Sequence, residues 1–143
     1  MRRSHRTAGA TMLVVAMLLV VAMLLVSCGG QTPASPSVVR PSSPAVITIV
    51  KPTAGETVSG TTVHVVLSLG GARIVSQTTT HIRPDEGHVH LYVDHVLVSM
   101  NYGLEQDIPV HAGTYVLSAE FVAADHAPFN PRVVSADTIF TVR

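Results

Sequence analysis

Apolar and polar positions alternate along most of the chain from Ala45 onward. Val46-Ile47-Thr48-Ile49-Val50 reads as a short strand. Thr62 to Leu69 puts Val63, Val65, Leu67 and Leu69 on one face, and Gly70-Gly71 ends it. From Gly87 to His95, Val89, Leu91 and Val93 alternate with His88, His90, Tyr92 and Asp94. Thr114 to Ala123 groups Tyr115, Leu117, Ala119 and Phe121, and Thr138 to Val142 closes the chain. A period of two marks half-buried strands, because successive side chains point to opposite faces. Lys51 to Gly60 reads as a turn-rich connection, Ser76 to Gly87 as a polar segment, and Asn101 to Pro109 as a loop with room for a short edge strand. No segment after the N-terminus carries a helical period with caps. Strands every dozen or so residues, separated by turn residues, predict an all-β, antiparallel β-sandwich of about seven strands.

The N-terminus follows a different pattern. Met1 to Arg6 is basic, and Thr11 to Val26 is an unbroken apolar run ending in Ser27-Cys28-Gly29-Gly30. A positive start, a short apolar run and small residues at the end describe a secretory signal peptide. The run falls short of the ~20 apolar residues a spanning helix needs. Leu25-Val26-Ser27-Cys28 resembles the lipobox of bacterial lipoproteins, and Cys28 is the chain's single cysteine. The resemblance implies cleavage before Cys28, lipid attachment at its thiol, and a domain held on the extracytoplasmic face of the cell membrane or envelope. Two or three acyl chains anchor firmly, where one alone is reversible. The expected organisation is therefore a signal peptide over 1–27, a lipidated Cys28 with a Pro/Ser-rich tether over 28–44, and one domain over 45–143.

Composition narrows the function. With Cys28 acylated no disulfide is available, so the fold must rest on its apolar core. Without Arg2, Arg3 and Arg6 the chain keeps six basic residues against nine acidic ones, a net charge of −3 with histidines neutral. There is no basic patch and little aromatic surface, which argues against nucleic-acid binding. Neither a Gly-x-Ser-x-Gly elbow nor a Gly-rich phosphate loop occurs. The expectation is a protein that is not an enzyme.

Two further resemblances concern the domain. The stretch ITIVKPTAGETVSGTTVHVVLSL resembles the opening of bacterial immunoglobulin-like domains, whose first strands flank a P-x-x-G-x-x-V-x-G turn. VHAGTYVLSAEFVAADH resembles their penultimate strand, with Ala112 in place of a proline before Gly113. GHVHLYVDH is similar to small uncharacterised bacterial families with G-H-x-H-L-x-x-D strands. These resemblances imply an immunoglobulin-like fold and a non-catalytic binding module, with an envelope protein or polymer as partner.

The histidines offer an alternative. His88 and His90 share one strand face, about 7 Å apart. If their strand pairs antiparallel with 114–123, His88 falls near Ala124-Asp125-His126. Glu120 then lies across the strand pair and His81 in the loop entering it. Imidazoles with a carboxylate or water suit copper or zinc. The tentative metal set is therefore His88, His90 and His126, with Glu120 or His81 as a fourth ligand. Ordinary solvated histidines on an exposed face fit the same pattern. Asp94 and His95 are expected to form the hairpin turn. His64 and His111 are expected to lie apart, and Met100 beyond the far turn, away from the cluster.

Overall fold

The computed structural model describes residues 39–143; the expected signal peptide, Cys28 and most of the tether lie outside the described residues. Among the described residues no helix is long and apolar enough to cross a membrane. The described residues form ten strands: β1 (Val46–Lys51), β2 (Thr57–Val58), β3 (Thr62–Gly70), β4 (Arg73–Ile74), β5 (Glu86–Val93), β6 (Val96–Asn101), β7 (Glu105–Pro109), β8 (Gly113–Ala123), β9 (Pro128–Val134) and β10 (Thr138–Val142). They build a three-stranded sheet, in the order β1-β3-β7, and a larger one in the order β2-β10-β8-β5-β4. In the larger sheet β6 also pairs β5 and β9 also pairs β8.

The two sheets enclose one apolar core. Ile47, Val63, Val65 and Leu67 come from the smaller sheet, and Val89, Leu91, Leu117, Phe121 and Phe140 from the larger. These are the alternating positions seen in the sequence. The sandwich is therefore as expected, with short additions. The turn-rich 51–60 connection holds β2, parallel to β10. The 101–109 loop holds β7, which pairs β3. β9 lies between β8 and β10 in the chain, so β8 is not the penultimate strand.

Asp94 and His95 both have positive φ, 49° and 65°. That is the backbone of a two-residue hairpin turn whose twist matches the strands it joins. Asp94 also accepts the Val116 N–H on Oδ1 at 2.9 Å, which ties the turn to β8. The pair thus serves the hairpin, as its sequence suggests.

The end of the expected tether is bound to the domain. The Arg40 guanidinium donates to both carboxylate oxygens of Asp125, at 2.6 and 2.9 Å, and to the Ala127 and Pro128 carbonyls. The Asn130 N–H donates to the Pro41 carbonyl. Residues 40 and 41, at the end of the expected tether, are thus held against the β8–β9 turn and β9.

Candidate functional site

The site lies on the face of the larger sheet turned away from the core. His88 and His90 stand two residues apart on β5 and share that face. On one side β8 sets Val122 opposite His88 and Glu120 opposite His90. On the other side β6 sets Met100 opposite His90. Tyr102, just past β6, brings its ring to 4.7 Å from that of His88.

His126 completes the cluster from the turn between β8 and β9. Its N–H donates to the Ala123 carbonyl, and Ala127 closes the turn by accepting from Ala123. The residue sits at φ 63°, a left-handed conformation that a side chain adopts only when its surroundings impose it. The turn itself imposes it, since a three-residue hairpin loop ends in a left-handed residue, and the Arg40 fork on Asp125, the residue just before it, braces the turn; Asp125 Oδ1 also accepts the Ala127 N–H at 3.1 Å. A planar guanidinium fixes a carboxylate in two places and so fixes the turn's direction.

The three imidazoles are in mutual contact. His126 Nδ1 lies 3.3 Å from His90 Nε2, and the two rings are nearly parallel. The His88 ring stands edge-on to His126, centroids 4.2 Å apart. His126 Nε2 is 3.2 Å from Thr78 Oγ1. His88 is fully buried and His90 is 6% exposed. They are therefore not solvated surface histidines. Among the described residues, neither ring nitrogen of His88 has a hydrogen-bond partner. An imidazole buried in this way forgoes about 1–3 kcal/mol per unmade bond, and such a group calls for an explanation such as an ion or a water.

Burial, with the neighbouring His126 and His90 adding to it, lowers the His88 pKa to about 4. Burial also lowers His90, His126 acts in the same sense, and the Glu120 charge opposes them. His88 is thus neutral near pH 7, the state in which an imidazole binds a metal.

Glu120 is brought beside His90 but is already engaged. It is 1% exposed and accepts two hydrogen bonds from Arg132, at 2.7 and 2.5 Å, and one from Tyr92 at 3.0 Å. Burial pushes its carboxyl up, but the bonds from Arg132 and Tyr92 and the Arg132 charge outweigh this and hold it below the usual range. As a structural ion pair it leaves the ligand set. His81 is exposed, and its backbone N–H donates to Thr79 Oγ1. It is not one of the stacked rings. His64 pairs with Asp107 on the smaller sheet, as its position off the core face implies.

Among the described residues, no three His, Cys, Asp or Glu side chains stand as a ready-made metal ligand set. The cluster supplies donors that are adjacent but not yet converged. One pair already has the required spacing. Two nitrogens on a tetrahedral Zn²⁺, each about 2.0–2.1 Å from the metal, are about 3.3 Å apart.

The sequence pattern identified His88, His90 and His126 but missed Tyr102, Met100, Arg40 and Arg132 as neighbours. Arg132 carried a weak signal, as a lone cation in β9 that must find the buried carboxylate.

No family model matches the chain, and no curated protein matches it. Among solved structures it resembles the fibronectin(III)-like modules of Clostridium thermocellum CbhA, with 21% sequence identity and a TM-score of 0.51. The match covers 68% of this chain and 46% of that one, so the chain spans about half the length of the structure it matches. The likeness supports the fold alone: an immunoglobulin-like β-sandwich.

Proposed function

We propose that this chain is a non-catalytic, lipid-anchored extracytoplasmic module whose working site is the histidine cluster, and that the cluster binds copper or zinc. The observation that carries this is His88: a fully buried imidazole, both nitrogens unpartnered among the described residues, packed against the His126 ring that also meets His90. A sandwich face that needed only stability would fill that place with an apolar side chain, as Val122 does next to it. A turn of the His88 ring about χ2, a broad torsion, aims a nitrogen toward the His90–His126 pair. Three imidazoles then leave a fourth position open. The site has no thiolate, and its carboxylate is already paired.

The test is calorimetric titration of the metal-stripped full chain in detergent with Zn²⁺ and Cu²⁺ near pH 7. One equivalent bound at micromolar affinity or tighter, lost in the His88→Ala/His90→Ala double variant, is the expected result. Binding that the double variant retains would assign the metal to other residues and contradict the proposal. Anchoring has its own check. Cys28→Ala should release the protein from the membrane fraction and abolish lipid labelling; full membrane retention would contradict the lipid anchor.

A second reading keeps the fold and moves the working surface. Among the described residues β6 pairs with β5 alone, and Val96, Leu97, Val98 and Met100 on it are exposed. An exposed apolar edge of this kind suits strand addition by an envelope protein. Normal metal binding with Val96→Lys, alongside loss of a co-purifying partner, would show that both surfaces work.

A further inference from the structure

The identity of the metal follows from two features of the cluster: its charge and its fourth neighbour. All three imidazoles are neutral ligands. The adjacent carboxylate, Glu120, is neutralised by Arg132 at 2.5 Å and offers no free charge. Removing a cation from water costs an energy that rises with the square of its charge, so a dication loses about four times as much as a monocation in such a place. The three imidazoles add no charge to offset that cost, although neutral imidazoles do hold Zn²⁺, so the fourth ligand decides between the metals.

The fourth neighbour is Met100. β5 and β6 form a hairpin, and their register shifts by one residue between Leu91 and Tyr92. Tyr92 pairs with Leu97 and Leu91 with Ser99, so Val98 is the extra residue of a bulge. Without that residue, a simple two-residue hairpin would put Ser99 opposite His90 and turn Met100 to the core face. With it, Met100 pairs directly with His90 and so shares its face. The sequence-based expectation that Met100 lies beyond the far turn is corrected: the hairpin returns it to the histidine end. Directly opposed residues hold their Cβ atoms about 4.5–5.5 Å apart, within reach of a three-torsion thioether. Met100 is 58% exposed, so its side chain is free to swing over the cluster. It is also the one methionine after the N-terminal apolar run, the others being Met1, Met12, Met17 and Met23.

A thioether is a soft ligand that selects Cu(I) and adds little for Zn²⁺. We infer that the site is a Cu(I) site, with His88, His90 and His126 as imidazole ligands and the Met100 thioether as the fourth, brought to the cluster by the bulge at Val98. This rests on the metal-binding function proposed above. The exposed Met100 is the lid side of the site, where copper enters and leaves.

The experiment compares the full chain in detergent with its Met100→Leu variant, without oxygen. Cu(I) affinity is read by competition with a chromogenic Cu(I) chelator, and Zn²⁺ affinity by calorimetry. Leucine conserves volume at an exposed position, so the fold is undisturbed. The expected result is one Cu(I) held by the parent chain, at least tenfold weaker Cu(I) binding by Met100→Leu, and Zn²⁺ affinity equal in the two. Equal Cu(I) affinity in both chains, with both still binding metal, would overturn the Cu(I) assignment and leave the metal site standing. Binding of neither metal by the parent chain would overturn both.

Discussion

Gly87→Ala should lower the stability of the domain by about 3 kcal/mol and disable the histidine cluster with it. Gly87 pairs with Ala123 at the end of the β5–β8 ladder. A Cβ there would overlap the Val122 carbonyl oxygen and lie 2.9 Å from Phe121 Cζ. Neither neighbour can give way easily. The oxygen belongs to a strand, and Phe121 is fully buried and stacked on Phe129. The two strands must part at the point where His88 is set beside the 123–127 turn. Gly70→Ala is the control, since its added Cβ would meet nothing within 4 Å. Its effect should stay within about 0.5 kcal/mol. Urea unfolding of both variants checks the contrast; equal midpoints would mean that the strands are not packed this closely.

Acid should destabilise the fold well before its carboxylates titrate. His88 has its pKa lowered to about 4 by burial, reinforced by His126 and His90, from an ordinary value near 6.5. Between those values the unfolded chain binds a proton that the folded chain does not. Stability is thus fully present above about pH 6.5 and falls as the pH drops toward 4, by on the order of 3 kcal/mol. His90, lowered for the same first reason, acts in the same direction. Glu120 and Asp125 are held below the ordinary carboxylate range, Asp125 chiefly by the Arg40 hydrogen bonds. Their contributions are present above their unfolded pKa values and disappear only at lower pH. His88→Phe should remove most of the slope between pH 6.5 and 4 and leave the lower transition in place. Urea midpoints across that range, parent against variant, read it directly; parallel curves would mean that His88 is charged in the folded state.

The sheet architecture was legible because it depends on a period of two that the sequence repeats with few breaks. Val63, Val65 and Leu67, and Leu117, Ala119 and Phe121, are all buried where alternation puts them. The meeting of His88 with the 124–126 turn followed from antiparallel pairing alone. Three other features were not legible. The burial of His88 and His90 depends on Tyr102 and on the His126 turn, which cover a face that alternation alone marks as polar. The position of Met100 depends on a single bulge residue, and a slip of one reverses every side chain beyond it. The anchoring of residue 40 depends on a bidentate contact 85 residues away along the chain, between Arg40 and Asp125. Local pattern carries no information about any of these. The same applies to Glu120, whose carboxylate looks free in sequence and is already held by Arg132.

These features give the cluster a definite logic. The sandwich supplies a rigid strand for His88 and His90. The Arg40–Asp125 clamp fixes the strained turn that presents His126. The Val98 bulge adds Met100 from the opposite side. A rigid sheet thus holds two of the donors, a braced turn holds the third, and the exposed Met100 side chain closes over them.

X-ray absorption spectroscopy of the metal-loaded full chain tests the central claim most directly, because it counts the imidazoles bound to the ion. The account predicts three imidazole nitrogens at about 2.0 Å in the Zn²⁺-loaded protein, falling to two in His126→Ala. A spectrum of oxygen ligands with one imidazole or none, unchanged in His126→Ala, would contradict it.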